Sequence, residues 1–119
     1  MISGKEAQIM ESSVPQITEY SKQRILTSEQ LAELYGTTLT RIRQNFNANK
    51  SRYAPGKHYF LLEGEQLKAF KNLVGNSLLV DKRTPSLYLW TEKGALQHAK
   101  SLGTDKAWAM YESLVDEYF

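Results

Sequence analysis

Leu26–Tyr53 reads LTSEQLAELYGTTLTRIRQNFNANKSRY, and the reading of this stretch decides the fold. It parses as two short helices broken at Gly36. Thr27 or Ser28 can cap the first, and Thr27 followed three residues later by Gln30 matches a capping box, in which each residue's side chain bonds the other's backbone N–H. Leu31, Ala32, Leu34 and Tyr35 form the apolar side of that helix, and Gly36 supplies the left-handed residue that ends it. Thr37 and Thr38 can cap the second helix, which is expected over Leu39–Lys50. Its apolar residues Leu39, Ile42 and Phe46 recur at i, i+3 and i+7 and so share one face. At 100° per residue the opposite face carries Thr37, Thr40, Arg41, Gln44 and Asn47, with Arg43 and Asn45 on the flanks.

Working outward from this pair, residues 1–13 are polar and unpatterned, which predicts a flexible tail. VPQITEYSKQRIL suits a small hairpin with strands Gln16–Tyr20 and Gln23–Leu26. Downstream, YAPGKHYFLL opens with a Pro-Gly pair suited to a type II turn and runs into a strand His58–Leu62, either a wing or a backing strand for the helices. Glu65–Val74 reads as a helix with Leu67, Phe70 and Val74 on one side, stopped by Gly75. Leu78–Val80 and Leu87–Trp90 read as strands around the loop DKRTPS. Thr91 caps a helix that Gly103 ends, and Thr104 with Asp105 starts the last one. Residues 14–119 are therefore expected to form one α+β domain: a helix-turn-helix-like pair, short antiparallel strands in a winged-helix-like arrangement, and two C-terminal helices.

With 119 residues and 41% hydrophobic content, the chain can bury a single core. Cysteine is absent, which removes disulfides, thiolate metal sites and thiol nucleophiles together. With His58 and His98 the only imidazoles, the residues point to no metal site and no cofactor. There is no Gly-x-Ser-x-Gly elbow and no phosphate loop, so catalysis is the least favoured class. His58 reads as a strand residue with a satisfied ring, and neither histidine has a nucleophile beside it. No signal-peptide pattern and no run of roughly 18 apolar residues appears, so the expectation is a cytoplasmic protein with no membrane partner.

The formal charge is only +2, so any affinity for a polyanion rests on how charge is distributed. Between Gly36 and Leu62 stand Arg41, Arg43, Lys50, Arg52 and Lys57 with no Asp or Glu, a local charge of +5. The last nineteen residues hold one Lys against two Asp and two Glu. A helix-turn-helix gives this lopsidedness a geometry, since the first helix braces the second at a major groove. Arg41 or Arg43 can read guanine, Gln44 and Asn47 can read adenine, and Thr38, Thr40, Lys50 and Arg52 can hold phosphates. Lys57 and the loop cations Lys82 and Arg83 are further phosphate candidates. The plain alternative is a helical hairpin with a solvated cationic face. Thr37 and Asn45 occupy two positions that are usually apolar in the helix-turn-helix, which implies a rotated second helix or an altered turn.

RILTSEQLAELYGTTLTRIRQNFNANKSRYAPGKHYFLL, followed after a variable stretch by LYLWTEKGALQHAKSLGTDKAWAMYESLVDEYF, resembles the amino-terminal domain of phage antirepressor and regulatory proteins. This is the family labelled for an open reading frame six, within the KilA-N and Bro-N superfamily. The resemblance rests on LAELYG, on RIRQNFNANKSRY with its Asn-x-x-x-x-Tyr ending, and on LYLWTEKGA, similar to the family's aromatic-Thr-Glu-x-Gly signature. It implies a module that binds double-stranded DNA in transcriptional regulation in a bacterial host cell, often joined to a separate carboxy-terminal domain. Because this chain ends inside a helix, at EYF, the expectation is either a compact stand-alone version or a piece of a longer protein.

Trp90 and Trp108 read as core in preference to base-stacking platforms, Trp108 lining up with Tyr111, Val115, Tyr118 and Phe119 at helical spacing. Met110 and Leu114 lie on a second side of that helix, which is then apolar over more than half its circumference. Such a helix calls for cover, by a homodimer partner or another domain. Trp108, Met110, Tyr111, Leu114 and Tyr118 are the candidate contacts. The reading from a different class is accordingly a protein-binding antirepressor module that inactivates a repressor by direct contact.

Overall fold

The computed structural model of the chain describes residues 14–75 and 83–119. The tail 1–13, the strand expected at Leu78–Val80 and the candidate contact Lys82 lie outside the described residues. Elements follow in the order β1 (Thr18–Tyr20), β2 (Gln23–Thr27), α1 (Ser28–Leu34), α2 (Leu39–Ala48), a 3-10 turn (Lys50–Arg52), β3 (Tyr59–Glu63), α3 (Gly64–Val74), β4 (Ser86–Trp90), α4 (Glu92–Leu102) and α5 (Asp105–Glu117). This is the expected α+β domain.

The four strands form one antiparallel sheet in the order β1-β2-β4-β3. Of the two roles open to the strand after the helical pair, it takes that of backing strand: Tyr59 to Glu63 pair with Trp90 to Ser86 across the sheet. Alternation along the strands sends side chains to two layers. Ile25, Leu62 and Leu89 join Leu67 and Phe70 of α3 on one face. Leu26 and Trp90 join residues of α1, α2, α4 and α5 on the other, in the larger core.

Local chemistry sets the boundaries. Thr27 and Gln30 form the capping box, Thr27 Oγ1 accepting from Gln30 N at 3.1 Å and Gln30 Oε1 from Thr27 N at 2.9 Å. Gly36 ends α1 at φ 69° in a Schellman motif, with Thr37 N–H donating to Ala32 O and Gly36 N–H to Glu33 O. Thr38, Thr91 and Thr104 cap α2, α4 and α5 through their hydroxyls. The second helix stops at Ala48, short of the expected Lys50. Asn49 leaves helical geometry, its side chain donating back to Asn45 O at 2.9 Å, and the chain tightens into the 3-10 turn. The strand expected from His58 starts one residue later, because His58 belongs to the preceding turn and accepts Ala54 N–H on Nδ1 at 3.0 Å.

Two expectations about α5 need correction. Trp108 is 40% exposed and is not core. The helix packs through Ala107, Leu114 and Tyr118, and Trp108 stands 100° around from Ala107, outside that stripe. Leu114 and Tyr118 are fully buried inside their own chain, so neither offers surface to a partner. Tyr118 serves the fold instead, its hydroxyl bonding Ile25 O and Thr18 N and so fastening α5 to the β1–β2 hairpin.

At the junction of β3, β4 and α4 the backbones approach closely. Thr91 N–H donates to His58 O at 3.1 Å, while the Thr91 hydroxyl donates to Lys57 O at 2.6 Å and accepts from Gly94 N at 3.3 Å. A β-carbon on Gly94 would stand 2.1 Å from the His58 carbonyl oxygen and 3.1 Å from the Trp90 ring. The Trp-Thr-Glu-x-Gly run is thus a structural clasp. Gly94→Ala is expected to cost roughly 3 kcal/mol, at the upper end for overpacking against an unyielding partner. Urea unfolding followed by circular dichroism measures it, and a loss under about 1 kcal/mol would mean that α4 can lift away freely.

Candidate nucleic-acid interface

Ile42 and Phe46 tether α2 to the core and thereby fix which of its residues face outward. Phe46 meets the rings of Tyr53, Tyr59, Tyr88 and Trp90 edge-on, with centroids 5.1 to 5.5 Å apart. With that face held down, Thr40, Gln44 and Asn47 are exposed along the outward side, and Arg41 and Arg43 are exposed on opposite flanks.

Each flank borders a cleft. Arg43 and Asn47 line a cavity of about 270 Å³ between α1, α2 and β4, whose floor includes Phe46, Tyr88 and Trp90 and whose rim includes Glu29. Arg41 lines a second cleft of about 330 Å³ toward α4 and α5. Lys50 and Arg52 continue the cationic surface on the 3-10 turn, Lys50 Nζ lying 5.8 Å from the Phe46 ring centre. Thr38 is committed to its cap, accepting Arg41 N–H at 3.1 Å. Lys57 is not gathered with these residues: it lines a different cleft with Gln23, Gly56 and Lys93. Arg83, just ahead of β4, is exposed.

Sequence reasoning missed two cations of these clefts. Lys93 escaped because it stands inside the Thr-Glu-x-Gly run and reads as part of a helix start. Lys106 of α5 lines the Arg41 cleft although sixty-five residues separate the two in the chain, and no local signal announces that meeting.

Residues 15–101 match the family model described as the ORF6N domain. The chain belongs to this family. No curated protein and no solved structure matches it. Among the described residues of this ORF6N domain, no helix is long and apolar enough to cross a membrane.

Behind the candidate interface lies a polar spot inside the core. His98 of α4 is fully buried, its ring centre 4.4 Å from that of Trp90 and 5.4 Å from that of Tyr53. Among the described residues neither ring nitrogen of His98 has a hydrogen-bond partner, and the Tyr53 hydroxyl and Asn45 Nδ2 are likewise buried without one. Asn45, at a position where an apolar residue was the norm, therefore turns inward as a polar group. Burial pushes the Tyr53 hydroxyl up to about 12 and the His98 imidazole down to about 4. His58, whose ring sits against Tyr53, is lowered by burial and then by the charges of Lys57 and Lys93.

His98 is thus held neutral, and protonation favours the unfolded chain. Its contribution to stability is whole above an ordinary imidazole pKa of about 6.5 and drains away as pH falls toward about 4. Acidification from pH 7 to pH 5 is expected to remove roughly 2 kcal/mol by this linkage. Chemical denaturation at both pH values checks it, with His98→Leu flattening the difference. An equally steep loss in that variant would take His98 out of the explanation.

Proposed function

We propose that this ORF6N domain binds duplex DNA in transcriptional regulation, presenting the outward side of α2 to a major groove. The observation that carries the reading is the ridge of Thr40, Gln44 and Asn47, exposed and flanked by Arg41 and Arg43, in a segment with no carboxylate between Gly36 and Leu62. Amide side chains on a braced helix have the donor and acceptor pairs that match an adenine edge, and arginines on its flanks can reach guanine or phosphate. Lys50 and Arg52 extend the grip along the backbone as α2 tightens into its 3-10 turn. Lys57, together with Lys93, would meet phosphates beyond the groove that α2 enters. The place of action on this reading is the cytoplasm of a bacterial host.

A second reading is supported by α5. Trp108 and Val115, seven residues apart on one side of that helix, are each 40% exposed, and the half-buried Tyr111 lies between them. This apolar strip suits contact with a protein, such as a repressor inactivated by direct binding or a second copy of the chain. Met110, half-buried, lies on the other side of the helix, beyond the buried stripe and away from this strip.

Fluorescence anisotropy of labelled duplexes separates the two. Arg43→Ala and Gln44→Ala are each expected to weaken binding by about 1–3 kcal/mol, with discrimination between sequences relaxing at the positions they contact. Unchanged affinity in both would sink the DNA reading. Trp108→Ala is expected to leave duplex affinity intact, and a loss of repressor capture or of dimer in that variant would favour the second reading.

A further inference from the structure

Lys106 is the one cation of the acidic carboxy-terminal nineteen residues, and the fold carries it to the beginning of α2. Its methylene stem lies across the bare backbone of Gly36. A β-carbon there would come within 2.7 Å of Cδ, 2.8 Å of Cε and 3.3 Å of Nζ, so the ammonium is laid over the turn that joins α1 to α2. The Gly36 turn, the start of α5 and the last turn of α4 enclose the cleft of about 330 Å³ that Arg41 borders from the other side.

Arg41 and Lys106 share this cleft with the hydroxyl residues Thr37, Ser101 and Thr104 and with Tyr35, Asn45 and Leu102, and among the described residues no carboxylate lines it. Thr104 Oγ1 already accepts Ala107 N–H at 3.1 Å, which leaves its proton free to donate. Among the described residues neither Arg41 nor Lys106 has an ion-pair partner. Two unpaired cations and three hydroxyls around a space of this size suit a tetrahedral oxyanion.

We propose that this cleft seats a backbone phosphodiester of the duplex at the amino-terminal end of α2. The inference rests on the DNA reading of that helix and adds α5 to the interface. It assigns Arg41 to the backbone, together with Lys106, and leaves base reading to the outward ridge. A phosphate gripped there fixes the depth and angle at which α2 enters the groove, since Lys106 belongs to a helix bolted to the β1–β2 hairpin by Tyr118. Contacts of this kind position a protein without reading sequence.

The test is anisotropy across a salt series with the wild-type chain, Lys106→Met, Lys106→Arg and, as a control on α3, the exposed Lys68→Gln. Lys106→Met keeps the stem over Gly36 and removes only the charge. It is expected to weaken binding equally for unrelated duplexes and to lower the log-log salt slope by about 1. Lys106→Arg should keep the slope, as should Lys68→Gln. Thermal melts establish that each variant is folded. A wild-type slope in Lys106→Met overturns this inference while leaving the DNA reading of α2 standing, and a loss confined to particular sequences overturns it too, because Lys106 would then be reading bases. If inorganic phosphate saturates the cleft, seen as amide shifts at Thr37 and Lys106, while the duplex slope ignores the mutation, the occupant is free phosphate and the inference falls. A wild-type chain that binds no duplex at low salt removes the DNA reading itself, and this inference with it.

Discussion

The arrangement of this domain depends on Trp90. It ends β4, one of the two inner strands of the sheet, and pairs across it with Leu26 of β2 and Tyr59 of β3. Its ring meets Phe46 of α2, Tyr53 after the 3-10 turn and His98 of α4. Its Nε1 donates to Ser28 Oγ at 2.9 Å at the start of α1. One side chain thus measures the distance from the sheet to four other segments. Aromatic contacts of this kind contribute about 0.5–1.5 kcal/mol each beyond the area they bury. They are directional as well, so the pose of α2 follows from the pose of the indole.

The next residues explain why the Trp-Thr-Glu-x-Gly run speaks of packing and says little about what the domain touches. Thr91 ties β4 to the turn before β3 and caps α4, and Gly94 lets that helix settle on the His58 carbonyl. Both are answers to a packing problem. The same junction also contains the fold's weak point. Among the described residues His98, Tyr53 and Asn45 keep buried polar atoms without partners, and each such group costs about 1–3 kcal/mol against a satisfied one. The site tolerates neutral imidazole in an aromatic setting and would not tolerate imidazolium.

Signals that act within one turn were legible in the sequence. The Thr27–Gln30 box, the left-handed Gly36, the Pro55-Gly56 turn with Gly56 at φ 83°, and the caps Thr91 and Thr104 all stand where their chemistry placed them. The second helix was readable to within two residues, its end being set by a side-chain bond from Asn49 that no periodicity reports. What escaped depends on long-range docking. A helix apolar over more than half its circumference has two possible inner stripes, and α5 uses the one through Ala107, which turned Trp108 outward and drew Leu114 and Tyr118 in. For the same reason the candidate surface around α2 was legible as a charge count and not as a geometry. Arg41 and Arg43 sit two residues apart in the chain, yet they face different clefts.

That division bears on how the surface can change without the fold changing. Thr40, Gln44 and Asn47 are exposed while Ile42 and Phe46 are the buried residues of α2, so substitution on the ridge leaves those two on their seats. On the proposed reading, target preference can then drift on the ridge while the pose of the helix is held from beneath by Trp90. The flanks are less free. Lys106 lies over the α1–α2 turn in the space a Gly36 side chain would occupy, and Gly36 also sits at φ 69° to end α1. One residue therefore answers to two demands, the backbone's and the cation's. Even a substituent that met the first, by tolerating the left-handed region as asparagine does, would still displace the lysine stem.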